Sequence, residues 1–289
     1  EVIIIDNGST DETKQVVKEF SDRNNYIKYK FENEPGLHIG RHAGLKIARY
    51  ENLVFIDDDI EVEDRWLFSI NEEFKKSDVA MIAGNVFPNY AHTPPAWIEN
   101  LWEDTYFKKV KMVWPLSIIE FINSPKFVSP LNVFGCNFPI RKSILLEAGG
   151  FGPDAFPKEK IDFRGDGETR VSRFVQKKGK ICVFNEACSV FHKVPANRMT
   201  KEYFYSRGFS EGISRSFSEL RDKKSSRDSF LKILKSKIKF KITNHFLEHE
   251  AKDSLNILEK GISSGYRYHQ EQYYLRKEIQ EWVHRENFL

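Results

Sequence analysis

Apolar and polar positions alternate along the first third of the chain in blocks whose lengths switch between strand and helix. Val2-Ile-Ile-Ile5 is a continuous apolar run ending at Asp6, the pattern of a strand buried on both faces. The turn Asp6-Asn-Gly-Ser-Thr-Asp11 follows, and Ser9 and Glu12 stand at capping-box spacing ahead of Val16, Val17 and Phe20 on one helical face. Gly40–Arg49 predicts a second helix, which feeds the strand Leu53–Ile56 and three consecutive aspartates, Asp57, Asp58 and Asp59. Asp64 is placed to cap a third helix with Trp66, Leu67, Ile70 and Phe74 facing inward, and Val79–Ala83 predicts the next strand. This β-α-β-α order predicts an α/β protein with a mostly parallel sheet flanked by helices.

The pattern breaks over residues 86–132, which hold Pro88, Pro94, Pro95, Pro115, Pro125 and Pro130 together with Tyr90, Trp97, Trp102, Tyr106, Phe107 and Trp114. An excursion of that length predicts either a functional lid or aromatic packing beneath a long loop. Regular structure resumes at Asn132–Ile140, followed by a short helix stopped at Gly149-Gly150. Gly165-Asp-Gly-Glu168 then opens a helix ending at Gly179, and strands are expected near Lys180–Phe184 and Ser189–Phe191. From about residue 200 the pattern is helical, so residues 1–205 are expected to form one α/β domain and residues 206–289 a helical C-terminal appendage.

Composition narrows the class. Apolar residues make up 40% and charged residues 30%, enough for a sizeable core, and Phe accounts for 24 of the aromatic side chains. The formal charge of +3 excludes a nucleic-acid binder driven by bulk charge. Cys136, Cys182 and Cys188 form no C-x-x-C pair and fit a reducing compartment, so a cytoplasmic location is expected. No apolar stretch reaches the ~18 residues of a membrane span. Residues 221–241 carry nine Lys or Arg against two Asp, which suits either a solvated helical face or peripheral contact with the anionic inner face of a membrane.

The strongest chemical feature is Phe55-Ile-Asp-Asp-Asp59 at a strand end, where open α/β sheets bind ligands. Adjacent carboxylates repel unless a cation intervenes, and Mg²⁺ or Mn²⁺ would take oxygens from them and from a diphosphate. Asp6 or Asn7 at the first strand end can hydrogen-bond a base edge or a ribose, although a capped Asn-Gly turn explains the residues as well. Asp166 and Glu168 stand at a helix N-terminus, whose dipole favours the ionised carboxylate that a general base needs. His192, after the strand Ser189–Phe191, is either a packed surface histidine or a neutral imidazole able to join a metal shell.

In this order the segments resemble family 2 glycosyltransferases with the GT-A fold, over residues 1 to about 215. Val2–Asp11 resembles the second-strand nucleotide motif, Gly40-Arg-His-Ala-Gly44 the Arg-Asn-x-Gly segment, and Phe55–Asp59 the DxD metal motif. Gly135–Arg141, Gly149-Gly-Phe151, Gly165–Glu168 and His192 follow in the usual downstream order. The resemblance implies sugar transfer with inversion from a nucleotide-sugar, expected to be a UDP-sugar, to a saccharide or lipid-linked acceptor hydroxyl in glycan assembly. It implies that Asp6, Asn7 and Ser9 hold the nucleotide, that Arg41 approaches base or phosphates, and that Asp57 or Asp58 touches ribose and sugar. It further implies a metal on Asp59 and His192, and donor or acceptor contact at Asn137.

Two departures stand out. An inserted Gly separates the acids as Asp166-Gly-Glu168, which leaves either as the base, and His42 replaces the usual Asn. Arg198 and Arg207 lie in a following segment where arginines can neutralise diphosphate, and Trp97 and Trp102 are candidates for stacking on acceptor rings. Because Val2–Ile5 corresponds to the family's second strand, about 30–45 residues bearing a first strand are expected to precede it. A haloacid-dehalogenase-type phosphatase fits less well, since Glu61 stands where its motif needs Thr and Arg170 where it needs an acid. An inactive sugar- or nucleotide-binding module of the same fold is the other reading.

Overall fold

A computed structural model describes residues 1–103, 110–222 and 247–289. The predicted alternation is present as β1 (Val2–Asp6), α1 (Thr13–Ser21), β2 (Ile27–Phe31), α2 (Leu37–Ile47), β3 (Asn52–Ile56), β4 (Ile60–Val62), α3 (Trp66–Phe74) and β5 (Val79–Ala83). β2 and β4 were not anticipated, although Ile27-Lys-Tyr-Lys-Phe31 alternates with the period of a strand. Two helix starts differ from expectation. Ser9 does not cap α1; its backbone N–H bonds Asp6, while Asp11 accepts the Thr13 N–H at 3.0 Å. Asp64 does not cap α3, where the Trp66 N–H instead bonds the Glu63 carbonyl at 2.9 Å. Trp66, Ile70 and Phe74 face the core as expected, but Leu67 is 60% exposed.

The strands form three sheets. β1 pairs in parallel with β2. The central sheet runs β10 (Ile181–Phe184), β5, β9 (Asn137–Arg141), β3, with β10 parallel to β5 and β9 antiparallel to both neighbours. β5 is buried along its whole length, as its uninterrupted apolar sequence requires. The third sheet runs β4, β11 (Val190–Val194), β6 (Val86–Tyr90), β8 (Ile118–Phe121), β7 (Val110–Val113), with β11 parallel to β6 and the other pairs antiparallel. The architecture is α/β with sheets flanked by helices; the central sheet is mixed because β9 is inserted antiparallel between β3 and β5, and the third because β11 runs parallel to β6.

Much of the Pro-rich excursion is regular structure rather than an irregular lid. It supplies β6, α4 (Ala96–Glu103), β7 and β8. Its prolines sit where they interrupt little: Pro94 and Pro95 precede α4, Pro115 lies in the turn joining β7 to β8, and Pro88 comes after the single pairing of β6 with β8 at Val86 and Ile119. Tyr106 and Phe107 lie outside the described residues.

The third sheet and α4 share a second core with α7 (Lys201–Arg221) and α8 (His249–Leu275), built from Trp97, Ile98, Leu116, Ile118, Phe204 and Leu258 among others. α7 runs unbroken through residue 205. It packs on α8 through four glycines. A Cβ at Gly208, Gly212, Gly261 or Gly265 would stand 2.3, 2.1, 2.3 or 1.9 Å from a carbonyl oxygen of the opposite helix. α9 (Lys277–His284) and the C-terminal Phe288 close a third cluster with Phe217. Among the described residues no helix is long and apolar enough to cross a membrane. Of the basic run at 221–241, all but Arg221 and Asp222 lie outside the described residues.

Candidate functional site

The C-terminal ends of β1 and β3, the start of β9, the middle of β11 and the N-terminus of α6 (Gly167–Lys177) meet at one edge of the sheets. β3 releases the chain into Asp57-Asp-Asp59, and β4 returns beside β11, so that Ile60 pairs with His192. His192 therefore lies within a strand, held on both sides, rather than after one.

Two charged groups organise this edge. In the first, the buried Arg41 of α2 donates to the Gly135 carbonyl at 2.9 Å and to Asp57 Oδ1 at 3.1 Å, and its other terminal nitrogen lies 3.8 Å from Glu168 Oε2. The guanidinium also lies 5.3 Å from the centre of the Phe151 ring. A Cβ at Gly135 would come within 2.7 Å of Arg41 Nη2, so a larger residue there would push the guanidinium out of this position. Arg41 thus acts as an internal tie between the aspartate turn and Glu168. Burial pushes the Glu168 carboxyl up, Arg41 pulls it down, and Asp154 and Asp57 add to the upward shift, with a net rise.

The second group is Asp59, His192 and Arg198. Asp59 Oδ2 lies 3.3 Å from His192 Nε2 and accepts from Arg198 Nη1 at 3.1 Å. Burial alone would raise the Asp59 carboxyl, but the hydrogen bonds and charge around it, Arg198 among them, outweigh burial and hold it below its ordinary value. His192 Nδ1 lies 2.9 Å from the Leu116 carbonyl. A carbonyl only accepts, so Nδ1 carries the hydrogen and Nε2 faces Asp59. Asp59 Oδ1 is buried with no hydrogen-bond partner. Beside this group an open cleft of about 510 Å³ is lined by Asp59, Asn89, Ala91, Lys193, Pro195 and Arg198.

The remaining expected contacts are placed differently. Asp6 is 4% exposed and accepts from the Tyr29 hydroxyl at 2.7 Å and from the Ser9 N–H at 2.8 Å, bonds that keep its carboxyl low despite burial. Asn7 donates to the Glu32 and Glu34 carbonyls and accepts from the Gly36 N–H, tying β1 to the loop before α2. Both side chains shape the turn, while Ser9 and Asp58 are exposed. Asn137, 2% exposed, donates to the Cys188 carbonyl at 2.9 Å and accepts from the Trp66 indole at 3.4 Å. Both ends of its amide are thus engaged by the scaffold.

Trp97 is likewise withdrawn, at 4% exposure and edge-on to Phe204 of α7, because α4 packs its apolar face between β7 and α8; Trp102 is half-buried against the same core. The two acids separate. Glu168 joins Arg41, whereas Asp166 turns toward α7, where the Ser218 hydroxyl donates at 3.1 Å and Arg173 lies 3.9 Å away. Burial raises the Asp166 carboxyl. His42 accepts the Phe151 N–H at 2.9 Å, and burial pushes its imidazole down to about 4. Tyr29, Gly135 and Phe151 join the site without a predicted role: Gly135 and Phe151 stand in the downstream motifs, and Tyr29 is the middle of an alternating run.

Asp59 and His192 suit a divalent ion. Asp59 Oδ2 and His192 Nε2 face each other at 3.3 Å, Oδ1 has no partner, and the Leu116 carbonyl fixes the tautomer, a carboxylate–imidazole pair of the kind metals take. Among the described residues no group of three or more His, Cys, Asp or Glu could hold an ion alone, so the pair needs oxygens from a ligand to complete the shell.

A sequence-family model, Glycosyl transferase family 2, matches residues 1–147. Among curated proteins, the chain is 21% identical over 221 residues to the glucosyl-dolichyl phosphate glucuronosyltransferase of Haloferax volcanii, covering 76% of this chain and 67% of that protein. It is 31% identical over 86 residues to a poly-beta-1,6-N-acetyl-D-glucosamine synthase of Staphylococcus epidermidis, covering 29% of this chain and 21% of that one. Glycosyltransferase GlyA of Streptococcus pneumoniae is matched at 22% identity over 56% of this chain and 23% of its own length. A solved structure with similar layout is the mannosyltransferase PcManGT from Pyrobaculum calidifontis in complex with GDP-Man and Mn²⁺, at 14% identity and a TM-score of 0.49, covering 98% of this chain and 73% of that one. The ordered motifs and a family match over half the sequence lead to one conclusion: the chain belongs to glycosyl transferase family 2, and its α/β region is a glycosyltransferase domain.

Proposed function

We propose that the chain moves a sugar from a nucleoside-diphosphate sugar, with UDP-sugar as the expected donor, to an acceptor hydroxyl, with inversion, in a divalent-metal-dependent reaction. The observation that carries this reading is that one strand-end turn, Asp57–Asp59, joins the Arg41–Asp57–Glu168 group to the Asp59–His192–Arg198 group. Glu168 is the general base. Its carboxylate takes the acceptor hydroxyl proton as the hydroxyl oxygen attacks the anomeric carbon from the face opposite the departing diphosphate. Arg41 holds Glu168 and Asp57 in place, and Asp57 and Asp58 line the donor side. Arg198 meets charge developing on the leaving diphosphate. Asp59 and His192 would hold Mn²⁺ or Mg²⁺, which neutralises diphosphate charge when bound.

The Haloferax volcanii relative is named for a dolichyl-phosphate-linked glucose, and the basic run at 221–241 suits a lipid-linked acceptor at a cytoplasmic membrane face. A saccharide acceptor fits the same site. The test is release of nucleoside diphosphate from a panel of nucleotide-sugars with Mn²⁺, with product anomeric configuration read by NMR. Glu168→Gln should lower kcat by about 10²-fold or more, the usual contribution of a general base. Retention of full turnover by that variant would reject Glu168 as the base, and no turnover by the unaltered chain with any donor would favour the inactive binding module.

A further inference from the structure

Arg198 sits where a cation is wanted. Nδ1 of His192 donates to the Leu116 carbonyl, and Arg198 Nη1, which can only donate, lies 3.2 Å from Nε2. Nε2 therefore presents a lone pair, and it faces Asp59 Oδ2 at 3.3 Å. Two electron-rich atoms at that separation need a positive group shared between them. Nη1 supplies it, donating to Oδ2 at 3.1 Å and to Nε2. These are the two atoms offered to a divalent ion in the proposed reaction. Asp59 Oδ1, buried and without a partner, is acceptor capacity that the guanidinium leaves unmet.

On the metal-dependent reading above, we propose that Arg198 is an exchangeable internal cation. It holds Asp59 and His192 together before substrate binds, gives up that place to the divalent ion, and carries its charge to the donor diphosphate. Three features suit the exchange. Arg198 ends the short turn Ala196–Arg198 directly after Pro195, so side-chain rotation moves its guanidinium without disturbing β11. Its side chain is 34% exposed and lines the open cleft next to Asp59, which gives the displaced group somewhere to go. Partial exposure also keeps the ion pair weak enough to be replaced. A diphosphate that draws the guanidinium away frees the pair for metal, so nucleotide and metal should tighten each other's binding.

The test is Mn²⁺ binding to the full chain, followed by electron paramagnetic resonance with and without UDP, in the unaltered protein and in Arg198→Ala, Arg198→Lys and Asp59→Asn. Removal of the competing guanidinium should make Arg198→Ala bind Mn²⁺ without UDP about tenfold more tightly, a charge-assisted hydrogen bond's worth. UDP should tighten Mn²⁺ binding in the unaltered protein and much less in Arg198→Ala. Arg198→Lys should stay close to the unaltered protein, and Asp59→Asn should lose Mn²⁺. The thermal midpoint of metal-free Arg198→Ala should be lower, and Mn²⁺ should restore it. Equal or weaker Mn²⁺ binding by Arg198→Ala without UDP overturns the exchange while leaving the metal-dependent reading intact. No Mn²⁺ binding by any form, with UDP present, overturns both.

Discussion

Arg41 carries opposing duties that a single substitution can separate. It neutralises Asp57, braces the turn at Gly135 and draws down a Glu168 carboxyl that burial raises. Arg41→Met removes the counter-charge, so the carboxyl should rise further. A base must be ionised to act, and a higher carboxyl value moves the acid limb of the kcat/KM profile to higher pH. We expect an upward shift of about one unit with a fall in kcat, and a smaller shift for Arg41→Lys, which keeps the charge but loses the fork. A pH–rate profile for the three proteins checks it, and an unmoved acid limb would contradict the electrostatic role. The residue types at this site were legible beforehand: strand-end carboxylates, a helix-borne Arg and a late His. Where each side chain directs its hydrogen bonds was not. Asn7 and Asn137 look like free amides on paper, yet both are saturated by carbonyls and donors 25 to 71 positions away in the chain.

At the level of elements, the contact between α7 and α8 rests on backbone proximity. The Cβ of an alanine at Gly212 would meet the Ile262 carbonyl oxygen at 2.1 Å and the Tyr266 nitrogen at 2.6 Å, neither of which can rotate away. The helices must separate, loosening the second core around Phe204 and Leu258. Gly212→Ala should destabilise the chain by about 2–4 kcal/mol, above the ordinary over-packing range because backbone must move. Gly179, where a Cβ meets nothing within 4 Å but φ is +61°, is a control for conformational strain alone. Gly179→Ala should be destabilised by only about 1 kcal/mol. Urea midpoints measure both, and equal losses would deny the close approach. The excursion at 86–132 shows the same limit on sequence reading. Its prolines signal irregularity, but Pro94, Pro95 and Pro115 fall at turns and a helix start, Pro88 is held within β6 opposite His192, and the β-branched residues between them build three strands of a sheet.

Across the whole molecule, buried imidazoles set the response to acid. His42 is 3% exposed and His269 is fully buried against Ser216, and burial pushes both imidazoles down to about 4; His38, beside Asp154, is also lowered by burial. In the unfolded chain each returns to its ordinary value near 6.5. Between those values the unfolded state binds protons that the folded state refuses, so stability increases with pH through that window and is lost as pH falls from about 6.5 toward 4. Glu168 and Asp166 act in the opposite sense, since their raised carboxyls keep protons in the folded state. They titrate above ordinary values of 4.5 and 3.8, so above those values they offset part of the loss. Asp6 and Asp59, held low, lose their contribution only below 3.8. The histidines' own share of the decline should therefore fall between about pH 6.5 and 4. His269→Gln replaces the imidazole by an amide able to bond the Ser216 hydroxyl. Its stability should change less between pH 6.5 and 5 by about one histidine's share, on the order of 1–2 kcal/mol. Urea unfolding at half-unit pH steps reads this directly, and parallel curves for variant and unaltered protein would show that His269 takes up no extra proton on unfolding.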